Sequence, residues 1–393
     1  MSTFIHRGIG ATLITGVLAT GIVAACARDA LGMRAPAPAP MVGRKTVTLD
    51  PADPKAMDRA IERIGERRVI LVGETHDRYD HHQNQLAVIR GLRERGVDLA
   101  IGMEFFQAPF QPYLDAFVAG EINEKQLLKK TEYYSRWRYD YRLYRDILEY
   151  ARHQGIPLVA LNAPSELVAR VSSGGLESLT PEERRGLVVS PPQGDAAYEA
   201  RLRPIFALHG QADEARFQRF ADVQRLWDAY MARTASDFLA NNPQKRLVIL
   251  AGSGHVVHGD AIPGRLAGFG RADVVIIATA PRDPDAASGS DILFAERELS
   301  LEPPGQMGME LAGLEDGVTV RRVQPRSPAE AAGFRPGDRI LSIAGESVHS
   351  LDDVRLALLD RVSGDQLWID WVRAGSPSRD TKPRRISAPL TLL

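Results

Sequence analysis

Four side chains able to do acid–base or metal chemistry sit beside short apolar runs. Glu74 and His76 lie in Gly73-Glu74-Thr75-His76-Asp77, Glu104 ends Gly102-Met103-Glu104, and His255 closes Gly252-Ser253-Gly254-His255. Two imidazoles and two carboxylates suit a divalent metal such as zinc, manganese or iron(II), which would activate water for hydrolysis. Without a metal, a carboxylate–imidazole pair can act as general base toward a water or hydroxyl. The Glu-x-His spacing chooses neither. Singly, each residue has an ordinary role: a histidine after a strand is often a surface residue, and a glutamate there often caps the next helix. Four such groups on one edge favour a functional cluster. His81 and His82, at a helix start beside Asp80, could join the site but read first as solvated helix residues, and His153 and His209 as structural or surface residues.

A second concentration of chemistry is the segment Glu132 to Tyr144, EYYSRWRYDYRLY. Its aromatic faces and phenols alternate with Arg136, Arg138 and Arg142, and Arg145 follows. Such a segment could receive a planar ligand bearing carboxylates. Haem fits that description, with Tyr139, Tyr141 or Tyr144 as axial phenolate and Arg142 as a partner for propionate. The plainer alternative is a helix packing its rings inward with arginines in water.

The elements that must position these groups follow from apolar patterning. Runs at 68–72, 98–103, 157–161, 247–250 and 273–278 are short and continuously apolar, as expected of strands covered on both faces of a parallel sheet. Amphipathic stretches at 79–95, 141–153 and 217–239 read as helices between them. The expected fold is therefore α/β: a mainly parallel sheet flanked by helices, with a helical insertion at roughly 105–155, plus a small β-rich second unit. In a parallel sheet all carboxyl ends share one edge, where ligand crevices form. That geometry brings Glu74, His76, Glu104 and His255 together from distant parts of the chain.

Residues 1–25 have the layout of an export signal: Arg7, an apolar run from Ile9 to Val23, then Ala24-Ala25. Val23-Ala24-Ala25-Cys26 resembles the bacterial lipobox, so lipidation is expected at Cys26, giving an anchor to the membrane. Ala27 rather than Asp follows, which in the familiar sorting pattern favours the outer membrane, facing the periplasm. Residues 26–44, with the APAPAP stretch, read as an extended tether. The α/β domain is expected over 45–282, a linker over 283–302, the second unit over 303–376 and a tail over 377–393.

Lys and Arg number 49 against 50 Asp and Glu, for a net charge of −1. This balance argues against nucleic acid as a partner. The single cysteine excludes disulfide frameworks and thiolate clusters.

The combination RVILVGETHD, GMEFF, W-x-Y-D-x-Y, PLVALNAP and LAGSGH resembles the ChaN-like family of the haem-binding uptake/Tiki superfamily over about residues 60–280. The resemblance implies shared acid and imidazole positions at Glu74, His76, Glu104 and His255. It also implies a lipoprotein serving haem-iron acquisition, with haem held through a tyrosine and a homodimer possible. Tiki-type relatives are metal-dependent proteases and esterase-type relatives are hydrolases, so a divalent-metal-dependent peptidase or esterase stands as the alternative.

The second unit resembles a PDZ domain of periplasmic serine proteases, through Gln306 to Met309, Gly317 to Val320, Ser327-Pro328-Ala329 and Ala332 to Ile340. That resemblance implies backbone amides at Met307-Gly308-Met309 receiving the carboxylate of a peptide or protein C-terminus. The peptide would add as a strand, with Val354 and Leu358 on the helix walling the groove. No Gly-x-Ser-x-Gly elbow accompanies it.

Overall fold

A computed structural model describes residues 46–189, 196–208, 213–271, 273–280, 289–315, 317–373 and 384–393. The expected signal, Cys26 and the tether lie outside the described residues, as does His209. Among the described residues no helix is long and apolar enough to cross a membrane.

Seven strands form the first sheet: β1 (Val47–Leu49), β2 (Val69–Glu74), β3 (Leu99–Gln107), β4 (Leu158–Asn162), β5 (Arg246–Gly252), β6 (Val274–Ala280) and β7 (Ile292–Ala295). Their order is β1-β7-β6-β2-β5-β3-β4, and every pairing is parallel. Alternate residues leave a strand on opposite faces, and the sequence fills both. Ile70, Val72, Ile101, Met103, Val248 and Leu250 pack against the helix Tyr79–Glu94 and the insertion. Val69, Leu71, Ala100, Leu247 and Ile249 pack against the long helix Glu214–Asn241. Burial on both faces explains why these strands read as unbroken apolar runs.

Two expected boundaries are corrected. The linker 283–302 contains β7, which pairs with β6 and β1 inside the first sheet. The tail 377–393 contains β13 (Arg384–Thr391), which pairs with β12 (Gln366–Arg373) along eight residues of each. β7 is four residues long, and the Ser-Gly-Ser-Asp before it carries the marks of a turn.

The second sheet is antiparallel, with order β13-β12-β10-β9-β8 and β11 on β10. The remaining strands are β8 (Met309–Leu314), β9 (Gly317–Val323), β10 (Arg339–Ile343) and β11 (Glu346–Ser347). β8 is an edge strand, and the helix Leu351–Leu358 lies beside it.

That helix also meets the insertion of the first domain. Leu356 and Leu359 belong to the same apolar cluster as Tyr133, Tyr134 and Trp137. Lys129 Nζ lies 2.9 Å from Asp353 Oδ1, and Arg355 Nη1 donates to the Tyr134 carbonyl at 2.9 Å.

Candidate functional site

Glu74 ends β2 and His76 follows in the turn; both are buried. His76 Nδ1 donates to Glu74 Oε1 at 2.8 Å, and Tyr144 Oη donates to the same oxygen at 3.2 Å. The other oxygen, Oε2, accepts from Gln85 Nε2 at 2.8 Å and lies 3.1 Å from His82 Nδ1. Burial pushes the Glu74 carboxyl up, but the His82 and His76 imidazoles outweigh it and hold it well below the usual carboxylate range.

His82 has an acceptor at each nitrogen, since its Nε2 lies 3.1 Å from the His76 carbonyl. Burial pushes its pKa down, and Glu74 more than reverses this, so it is raised. Both acceptors favour a protonated His82 ring, which balances the Glu74 carboxylate. This corrects the reading of His81 and His82 as solvated: both are about 1% exposed. His81 Nδ1 accepts from Thr75 N, and burial pushes the ring down to about 4.

The second pair is built on other elements. Glu104 stands within β3, which runs four residues beyond the apolar run 98–103, to Gln107. Its Oε2 accepts from Gly252 N at 2.7 Å. Its Oε1 lies 3.6 Å from His255 Nε2, and His255 Nδ1 donates to Asp228 Oδ1 at 2.7 Å. Asp228, on the long helix, also accepts from Tyr198 Oη at 2.7 Å and lies 3.5 Å from Arg265 Nη1. Burial lowers the His255 pKa, but Asp228 and then Glu104 reverse it, so it is raised. Asp228 is lowered against its burial by His255 and Arg265.

By strand alternation Glu74 points to the face carrying Val72, and Glu104 to the face carrying Ala100. The two pairs meet at the carboxyl rim over Gly252. A Cβ built there would lie 2.9 Å from His76 Cε1 and 3.6 Å from Glu104 Oε2. Thus the four expected residues do converge, as two carboxylate–imidazole pairs joined at one glycine. His82, weighed from the sequence as a possible member, joins them, and Gln85, Asp228 and Tyr198, which were not anticipated, complete the set.

The aromatic segment lines the His76 side. Arg138 adopts φ 74°, and this left-handed turn lets its neighbours Trp137 and Tyr139 both reach His76. Their ring centroids lie 4.8 and 5.0 Å from the imidazole. Non-glycine residues in that region cost energy and cluster at functional sites. Tyr141 and Tyr144 are fully buried, and burial pushes both phenols well above 10. Tyr144 is bonded to Glu74 and receives Trp137 Nε1 at 3.2 Å. Neither phenol is presented to a ligand, whereas Tyr139 is half-buried. Arg142, expected to face a propionate, pairs with Asp140 at 2.6 Å and donates to the Glu302 carbonyl. Arg136 is likewise held by Glu132 and Glu166.

The donor set fits a metal ion poorly. Among the described residues no group of three His, Cys, Asp or Glu stands ready to hold one. Glu74 and Glu104 are already engaged by imidazoles and by Gly252 N.

In the second domain, Gly308 takes φ 76° between Met307, which is buried, and Met309, which is half-buried at the start of β8. Val354 is buried in that domain's core and Leu358 is half-buried.

The family described as "Haem-binding uptake, Tiki superfamily, ChaN" matches residues 60–266, more than half of the chain, and the chain belongs to that family. A PDZ domain matches residues 319–373. Among curated proteins, "Protein RETICULATA-RELATED 5, chloroplastic" of Arabidopsis thaliana is 26% identical over 153 residues, covering 36% of this chain and 20% of that protein. "Magnetosome formation protease MamE" of Magnetospirillum gryphiswaldense is 40% identical over 62 residues, covering 16% of this chain and 8% of that protein. The chain thus spans only a small part of either relative. The structure described as cofacial heme binding to ChaN of Campylobacter jejuni is 19% identical, with a TM-score of 0.48, covering 60% of this chain and 89% of that one. A mutant of the erythromycin esterase EreC, in its open conformation, is 15% identical with a TM-score of 0.36, covering 60% of this chain and 78% of that one.

Proposed function

We propose that the chain binds haem beside His76 and Tyr139, serves haem-iron uptake at the cell envelope, and uses its PDZ domain to engage the C-terminus of a peptide or partner protein. The observation that carries this reading is the half-buried Tyr139, whose ring lies against His76 and Trp137. A bound haem would supply iron to be carried. Tyr139 would hold the iron through its phenol, beside the rings of His76 and Trp137, and the exposed Arg138 would meet a propionate. Family membership supports the same ligand. The proposal includes lipidation at Cys26, outer-membrane anchoring toward the periplasm, and homodimer formation. Haemin titration of the soluble chain tests it. A Soret shift typical of tyrosinate-ligated iron is expected, and its absence at stoichiometric haemin overturns the haem reading.

A second reading, metal-free hydrolysis by an esterase or peptidase, is favoured by one observation: Asp228 holds His255, which faces Glu104. A carboxylate that fixes an imidazole's orientation prepares it to take a proton from water. Turnover of p-nitrophenyl acetate that vanishes in His255→Ala supports this reading; unchanged turnover removes it.

A further inference from the structure

The helix Leu351–Leu358 has two contact faces, and they belong to different sites. One face borders β8, the edge strand to which a peptide would add. Toward the end of β8 remote from Met307-Gly308-Met309, Leu351 packs over the strand: a Cβ built on Gly313 would lie 3.5 Å from Leu351 Cγ. An added strand needs about 4.8 Å of spacing from β8. A peptide added along β8 lies beside this helix, so its side chains bear on the helix face.

The other face is fastened to the insertion. Asp353 caps its own helix through Ser350 and also takes Lys129 Nζ. Arg355 reaches the Tyr134 carbonyl, and Leu356 and Leu359 share the apolar cluster of Tyr133 and Trp137. Just beyond the helix, Asp360 pairs with Arg145 at 2.7 Å. Tyr134 is three residues from Trp137, whose ring touches His76. Packed interfaces of this kind respond by shifting as units rather than by bending continuously.

We infer that the helix Leu351–Leu358 couples the two domains, so that a peptide in the PDZ groove resets Trp137 and Tyr139 and changes the affinity of the site beside His76 for its ligand. This rests on the haem reading above and names its regulation. Because binding linkage is reciprocal, haem alters peptide affinity by the same factor.

The test uses the full chain and two probes: haemin, and a fluorescent pool of decapeptides with randomised C-terminal residues and free carboxylates. Peptide at saturation is expected to shift the haemin dissociation constant by about fivefold or more, with an equal shift in the reverse experiment. Both shifts should vanish in Lys129→Ala/Arg355→Ala, which still binds each probe alone. Hydrogen exchange of residues 133–139, with and without peptide, reads the coupling when haemin is absent. If haemin does not bind but peptide alters that exchange, the haem reading falls and the coupling stands. If both probes bind with unchanged affinities and unchanged exchange, the coupling is overturned. Failure of the whole pool to bind also overturns it.

Discussion

Gly252 and His76 approach so closely that no side chain fits between them: a Cβ on Gly252 would stand 3.1 Å from His76 Nε2. The backbone of Gly252 is ordinary, with φ −54°, so space and not conformation demands glycine here. Gly252→Ala should push the imidazole off Glu74 and disturb Glu104, which accepts from Gly252 N. Overpacking of this kind costs about 1–3 kcal/mol. A urea unfolding midpoint measures that cost, and the haemin titration should weaken about tenfold or more, since tenfold corresponds to about 1.4 kcal/mol. An unchanged titration would mean that His76 takes no part in the ligand site.

The Glu74–His82 pair makes stability depend on pH. Glu74 is held below its ordinary value, so its contribution is complete above about pH 4 and fades as acid protonates it. His82 is held above its ordinary value, so its contribution is complete below about pH 6.5 and fades as pH rises through its folded value. His81 acts oppositely: lowered to about 4 by burial, it costs stability as pH falls below its unfolded value. In Glu74→Gln the imidazolium of His82 loses its anion. The stability gap between wild type and Glu74→Gln should be widest at roughly pH 5–6 and narrow toward pH 9. A gap that stays constant across this range would show that His82 is not charged by Glu74.

Tyr139 and Tyr144 differ in a way that two conservative variants separate. Tyr139→Phe keeps the ring against His76 and removes the phenol oxygen, so the tyrosinate signature should disappear. Tyr144→Phe removes a buried donor to Glu74, costing about 1–3 kcal/mol while the haem spectrum keeps its form. The reverse pattern would assign the axial role to Tyr144.

The strands that lead into Glu74 and His255 were legible because burial on both faces writes itself as an unbroken apolar run. β1 and β7 were not: three and four residues long, they take their place by pairing with each other and with β6. The convergence of Glu74, His76, Glu104 and His255 followed from the shared carboxyl edge of a parallel sheet. Asp228 was missed because it sits mid-helix, 27 residues before its partner His255. Its signal was present in helical spacing: Arg225 and Asp228 interrupt the buried stripe of Ala221, Ala232 and Ala235. Charges on an apolar stripe call for partners from elsewhere. His82 was misread because Asp80 beside it suggested a wet helix start, whereas the insertion covers that turn.

Gly308 and Gly345 separate the two reasons a position demands glycine. Both have positive φ, 76° and 82°. Gly345 has open space around a would-be Cβ, whereas one on Gly308 would collide with Ser327 Cβ and lie 3.3 Å from Pro328 Cδ. Ser327 caps the short helix Pro328–Ala331, and Ala329 N donates to the Met307 carbonyl, so this contact fixes the loop's amides. Gly345→Ala should cost about 1 kcal/mol of strain and leave peptide binding intact. Gly308→Ala carries the same strain and must also move Ser327, so peptide binding should fall about tenfold or more, the equivalent of about 1.4 kcal/mol. Haemin binding without peptide should be unchanged in both variants. If Gly308→Ala binds peptide as well as Gly345→Ala does, the loop Met307-Gly308-Met309 is not where the carboxylate is received.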